Sequence, residues 1–167
     1  MTYSLLGIAA KLASVAVESE LAIQAVVEDA AGLVQETAKN AMGTYEFGWT
    51  PLKEETVARK ATGDSPLLET GELRDSIEKT IGHHVAWVGS DSDKAVWHEF
   101  GTSTIPPRSF IASAGMVCEP QIHELAVETI GAVLGGHSAA SALVHAAKEA
   151  AHVWRELGDD LVDEDKR

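Results

Sequence analysis

The chain has 167 residues, 45% of them hydrophobic, and its 26 acidic side chains against 13 Lys and Arg leave a net charge of -13. Such a length can bury a real core without disulfide staples, and the single cysteine, Cys118, reads as a small buried apolar residue. The acidic excess excludes tight sequestering of nucleic acid, whose affinity comes largely from phosphate neutralisation, and no apolar run approaches the length of a membrane span.

The opening Leu5-Leu6-Gly7-Ile8-Ala9-Ala10 has no Lys or Arg before it and is interrupted by Lys11, so it does not read as a signal peptide. A soluble protein made inside the cell is expected. From Ser4 to Met42, Leu5, Ile8, Leu12, Val15, Ile23, Val26, Val27, Ala30, Leu33 and Val34 recur at helical spacing, with abundant Ala and no Pro. One long amphipathic helix is predicted, with Ser19 and Gly32 as the places for a bend.

Thr50 then reads as an N-cap with Pro51 at the first helical position, starting a short helix that ends near Lys60. After a loop at Ala61 to Ser65, Thr70 is placed as the cap of a second short helix, whose Leu73 and Ile77 share one face. A β-hairpin follows, Glu78 to Ile81 and His84 to Gly89 about a Gly82-His83 turn. Ala95 to Phe100 fits either a strand or one helical turn.

Beyond it, Gly101 permits a sharp exit, and Pro106 and Pro107 stiffen an extended arm. In such an arm Arg108 and Phe110, two residues apart, project from one face as a contact to another subunit. Helical spacing returns at Phe110 to Val117 and Gln121 to Leu134, broken at Pro120, and Gly135-Gly136 stops it. Ser138 to Leu157 carries another helical pattern, and the charged Asp159 to Arg167 is expected to fray.

The predicted fold is α+β: a long N-terminal helix, short helices, a small antiparallel sheet with a protruding Pro-rich arm, and C-terminal helices. The domain spans residues 1–135, with an appended helix at 136–158 and a tail at 159–167.

Few residues form a catalytic pattern. His98-Glu99 and His123-Glu124 each begin like the helical zinc-protease motif, but Thr102 and Val127 stand where the second His is required. The adjacent pair His83-His84 would diverge in a strand, and no Gly-rich phosphate loop occurs. Arg59, Lys60, Arg74 and Arg108 read as surface ion-pairing residues, the last two beside tight turns where guanidinium groups suit subunit contacts. No catalytic residue, metal or cofactor is expected.

The ordered blocks Trp49-x-Pro51-Leu52, Thr56, Arg59-Lys60, Pro66-Leu67-Leu68-x-Thr70-Gly71-x-Leu73-Arg74-x-Ser76-Ile77, Val88-Gly89-Ser90, His98-Glu99-Phe100-Gly101-Thr102 and Pro107-Arg108-x-Phe110 carry a resemblance. The chain resembles the tailed-phage tail-completion proteins, also called virion-morphogenesis or minor tail proteins, over about Trp49 to Ile111. It departs from them in Lys94-Ala95-Val96-Trp97, where a Tyr-Ala pair is usual, and in Ser109, where the family has Pro.

The resemblance implies a structural virion protein of the neck or tail, in a phage or prophage, that completes the tail and supports head–tail joining. It implies a homo-oligomeric ring, contacts with head-completion, tail-terminator or tail-tube proteins, and DNA passing nearby without tight binding. Trp49, Pro51, Leu52, Thr70, Gly71, Leu73, Arg74, His98, Glu99, Phe100, Gly101, Pro107, Arg108 and Phe110 are its motif or interface residues. The alternatives are a metal-dependent hydrolase using His98, Glu99 and another His, or a DNA-contacting neck component.

Overall fold

A computed structural model describes the backbone of residues 5–135 and the side chains of residues 13–135. The helix expected at Ser138 to Leu157 and the tail at Asp159 to Arg167 lie outside the described residues. The fold is α+β, as its periodicities predict. In order it comprises α1 (Leu5–Ala41), α2 (Glu54–Arg59), α3 (Glu72–Asp75), β1 (Ile77–Gly82), β2 (Val85–Ser90), α4 (Asp93–Phe100) and α5 (Ile111–Val133). Two compact units are distinguished, Val27–Pro120 and one to which residues 5–26 and 121–135 belong. No helix among the described residues is long and apolar enough to cross a membrane.

The motif blocks all fall in the unit Val27–Pro120. There α1 contributes Ala38 and Ala41, both fully buried, because small side chains let neighbouring elements approach closely. The helix stops at Gly43, whose φ of 91° is left-handed and whose N–H donates to the Pro66 carbonyl at 2.8 Å. The core joins Ala38, Ala41, Met42, Trp49, Leu73, Ile77, Ala95, Phe110 and Ala114, with Val34, Tyr45, Phe47, Leu67, Val88 and Ile111 packed on it. Cys118 is buried as expected, its Sγ 3.2 Å from Thr37 Oγ1.

The hairpin pairs Ile77 with Ser90 through Gly82 with Val85, so its turn is His83-His84, one residue later than predicted. His84 takes the positive φ of 55° that this tight reversal needs. The two imidazoles do not diverge, because they belong to the turn: their ring centroids lie 4.0 Å apart. Gln35 of α1 anchors the sheet by donating Nε2–H to the Ile77 carbonyl at 2.8 Å.

Several local expectations are corrected. Thr50 and Pro51 do not start α2; they belong to an extended lead-in, and Lys53 occupies the N-cap position without a side-chain hydrogen bond. Gly71, at φ 84°, precedes α3 where Thr70 was placed as the cap, and Thr70 Oγ1 is only a distant acceptor, 3.4 Å from the Glu72 nitrogen. Ala95 to Phe100 is helical, within α4. Pro120 does not break the last described helix, because α5 runs through it. A proline removes one N–H and crowds one carbonyl, a local cost that the rest of a 23-residue helix can absorb.

Candidate functional site

The inward side of α4 sets the geometry. Ala95, His98 and Glu99, at i, i+3 and i+4, share one face of the helix. Ala95 enters the core, while the Glu99 carboxylate reaches the start of α5. Its Oε2 accepts the backbone N–H of Phe110 at 2.9 Å and of Ile111 at 3.1 Å. Its Oε1 accepts Ala112 N–H at 3.0 Å and Ser109 Oγ–H at 2.6 Å. A carboxylate borrowed from another helix thus satisfies the orphan donors of the α5 terminus and sits at the positive end of its dipole. Burial pushes the Glu99 carboxyl up, but the hydrogen bonds from Ser109, Ala112, Phe110 and Ile111 outweigh it and hold the group below the usual glutamate range.

The loop between α4 and α5 is closed onto this cap. Gly101, at φ 75° and ψ 175°, lies in a region open essentially to glycine alone, and a Cβ there would stand 3.0 Å from the Ile105 carbonyl and the Pro107 nitrogen. Thr102 N–H donates to the Ile105 carbonyl at 2.9 Å, while Thr102 Oγ1 accepts from the Ile105 nitrogen at 3.0 Å. Gly101→Ala is therefore expected to destabilise the protein by about 2 kcal/mol. Urea unfolding of the purified variant measures this, and an unchanged midpoint would contradict the close approach.

Arg108 and Phe110 are not presented outward. Phe110 is fully buried in the core and Arg108 is 6% exposed. The Arg108 N–H donates to the His98 carbonyl at 2.7 Å, and its Nη2 donates to the Thr50 carbonyl at 2.9 Å. Trp49 donates Nε1–H to the Ser109 carbonyl at 3.0 Å and meets Phe47 edge-on, centroids 5.5 Å apart. The expected contact arm is thus a loop whose return limb is bolted to the body of the unit. Its Pro-rich stiffness serves that closure, and Arg108 and Phe110 are both turned inward, not outward.

Of the other motif residues, Leu73 is buried, Arg74 is half-exposed and pairs with Asp75 at 3.0 Å, and Gly71 leaves room for the Arg74 guanidinium. Pro51 and Leu52 line a cavity of about 530 Å³, together with His98, Arg108, Thr70, Gly71 and Leu73. Five cations reach this cavity, Lys53, Arg59, Lys60, Lys94 and Arg108, against two carboxylates, Glu69 and Glu72. Lys60 is held by Glu69 at 3.2 Å and by the Ser65 and Leu68 carbonyls, and Lys94 by Glu72 at 2.8 Å. His98 Nδ1 and Arg108 Nε are buried with no hydrogen-bond partner. Burial pushes the His98 imidazole below its usual range, and the neighbouring Arg108 and Lys60 charges add to the effect.

The outward side of α4 has the opposite character. Val96, Trp97 and Phe100 lie on it, with Trp97 49% and Phe100 78% exposed. The helix therefore turns His98 and Glu99 inward and its aromatics to the surface, although Asp93 and Lys94 in its first turn stay exposed. Trp87 on β2 is also exposed, resting its ring edge on Gly82. Neither the α4 inversion nor the role of Glu99 was foreseen from sequence. One signal was available: α5 begins with no acidic residue in its first turn, so an anion from elsewhere could have been sought.

No family model, no curated protein and no solved structure matches the chain.

Proposed function

We propose that the chain is a structural subunit of a tailed-phage neck or tail, which completes the tail and supports head–tail joining as part of a homo-oligomeric ring. The observation that carries this reading is the inverted α4, whose outer face offers Val96, Trp97 and Phe100 to solvent. Large exposed aromatics on a rigid helix mark a surface meant for burial, and aromatic anchors dominate the energetics of protein interfaces. The occupant we assign is a second copy of the chain, in the head-to-tail contact that a closed ring requires. Neighbouring head-completion, tail-terminator or tail-tube proteins would meet the ring's faces, and the acidic surface would let DNA pass without adhering.

The hydrolase alternative is less well supported. Both Glu99 oxygens are already engaged by four donors, so the carboxylate has little capacity left as a general base or metal ligand. A DNA-contacting role is disfavoured by the net charge of -13.

Replacing Trp97 and Phe100 together by Ser tests the proposal. Both side chains are exposed, so the change in monomer stability is expected to stay within about 0.5 kcal/mol. Rings seen by electron microscopy and light scattering should be lost, and a genome carrying the double change should yield tailless or leaky particles. Infectious particles at wild-type yield would sink the assignment.

A further inference from the structure

The cavity bounded by the α2 segment, the Thr70–Leu73 turn, α4 and the loop that closes onto Arg108 has no part in the ring contact, and its chemistry points to a ligand. We propose that it is a binding site for an acidic peptide segment, whose carboxylate is taken by Arg108, Arg59 and Lys53 while its stem lies on Pro51, Leu52 and Ile105. The inference stands apart from the ring assignment, since it concerns only residues 50–108 and a different face of α4.

Three observations carry it. In a chain with a twofold excess of acidic residues, five cations against two carboxylates gather around one cavity of about 530 Å³. Such a local reversal of sign attracts anions that the rest of the surface repels. Second, Arg108 is more than nine-tenths buried yet leaves its Nε without a partner, and Arg59 and Lys53 pair with no carboxylate among the described residues. A buried guanidinium N–H left unmade is costly unless an acceptor arrives, and its planar fork matches a carboxylate. Third, the walls are mixed. Pro51, Leu52, Leu67, Leu73, Ile105 and Pro106 supply apolar surface beside the cations.

That mixture suits a side chain with an aliphatic stem and a charged tip better than a free dianion. His98 supplies a reporter, since an anion seated beside it would oppose the Arg108 and Lys60 charges that now disfavour its protonation.

The experiment titrates the full-length protein with acetylated hexaglutamate, with hexaglutamine and with inorganic phosphate, using calorimetry and the NMR resonances of the His98 ring. Hexaglutamate is expected to bind saturably and shift the His98 signals with a rise in its pKa, whereas hexaglutamine leaves both unchanged. Arg59→Ala combined with Lys53→Ala, both exposed positions that leave the core intact, should weaken binding about tenfold. Equal binding of hexaglutamine, binding that leaves His98 unmoved, or no loss in the double variant would each overturn the proposal. Phosphate binding more tightly than the peptide would overturn the peptide assignment in favour of a phosphate site. Because Trp97 and Phe100 are intact in these variants, ring formation is read separately, and loss of peptide binding with rings retained does not touch the assembly reading.

Discussion

Phe110→Ala is expected to destabilise the protein by about 3–5 kcal/mol, enough to leave much of it unfolded at moderate temperature. The ring is fully buried among Ala38, Ala41, Trp49, Leu73, Ile77 and Ala114, several of them too small to collapse into the space it would vacate. The cost therefore contains both the lost transfer of the ring from water and a cavity left largely unfilled. Phe110→Leu keeps most of the volume and should cost less than about 1.5 kcal/mol. Chemical unfolding of the three proteins measures the difference. Coincident curves for wild type and Phe110→Ala would mean that the ring lies at the surface, as an outward contact arm would require. Replacing Arg108 and Phe110 together by Ala would accordingly report on folding and not on assembly.

Glu99→Ala is the second large effect, expected at about 2–3 kcal/mol. The substitution strips the α5 terminus of acceptors for Phe110, Ile111 and Ala112 and removes the anion from the positive end of the helix. Ala112 is exposed and can turn to water, whereas Phe110 is buried and Ile111 half-buried, so their amides carry most of the cost. Glu99→Gln retains one oxygen and should lose less.

The same carboxylate makes stability depend on pH with a definite sign. Its folded pKa lies below its unfolded value, so the unfolded state binds the proton more readily. The contribution is complete above the unfolded glutamate value of about 4.3 and is lost as pH falls through the lower folded value. Wild type and Glu99→Gln should therefore differ most at neutral pH and converge in acid. A stability difference that stays constant down to the lowest pH at which the protein folds would show that the charge of Glu99 has no part in holding α5.

What the sequence determined by itself is the set of elements whose cause is local. The 37 residues of α1 are readable because Ala content and a 3.6-residue apolar period agree over many turns. The hairpin is readable because alternating β-branched and apolar residues flank a tight turn, although the turn's position slipped by one residue. Leu73 and Ile77 are both buried, but not as one helix face: α3 ends at Asp75, and Ile77 opens β1 and enters the core from the sheet.

Tertiary structure decided the rest, for one physical reason: short segments do not carry enough local preference to fix their own conformation or facing. The stretch Ala95 to Phe100 is helical because Ala95 is drawn into the core and Glu99 is needed at a helix terminus eleven residues downstream in sequence. The segment Pro106 to Phe110 reads as a free arm until Trp49, Thr50 and His98 supply the partners that hold it inward. An arginine near a turn looks like a surface cation in any one-dimensional reading. Its burial follows from the Thr50 carbonyl, 58 positions away in sequence, which accepts from Nη2 and so helps to offset the loss of water. Which face of α4 is left to solvent follows from the same choice: once His98 and Glu99 are required inside, Trp97 and Phe100 are turned out.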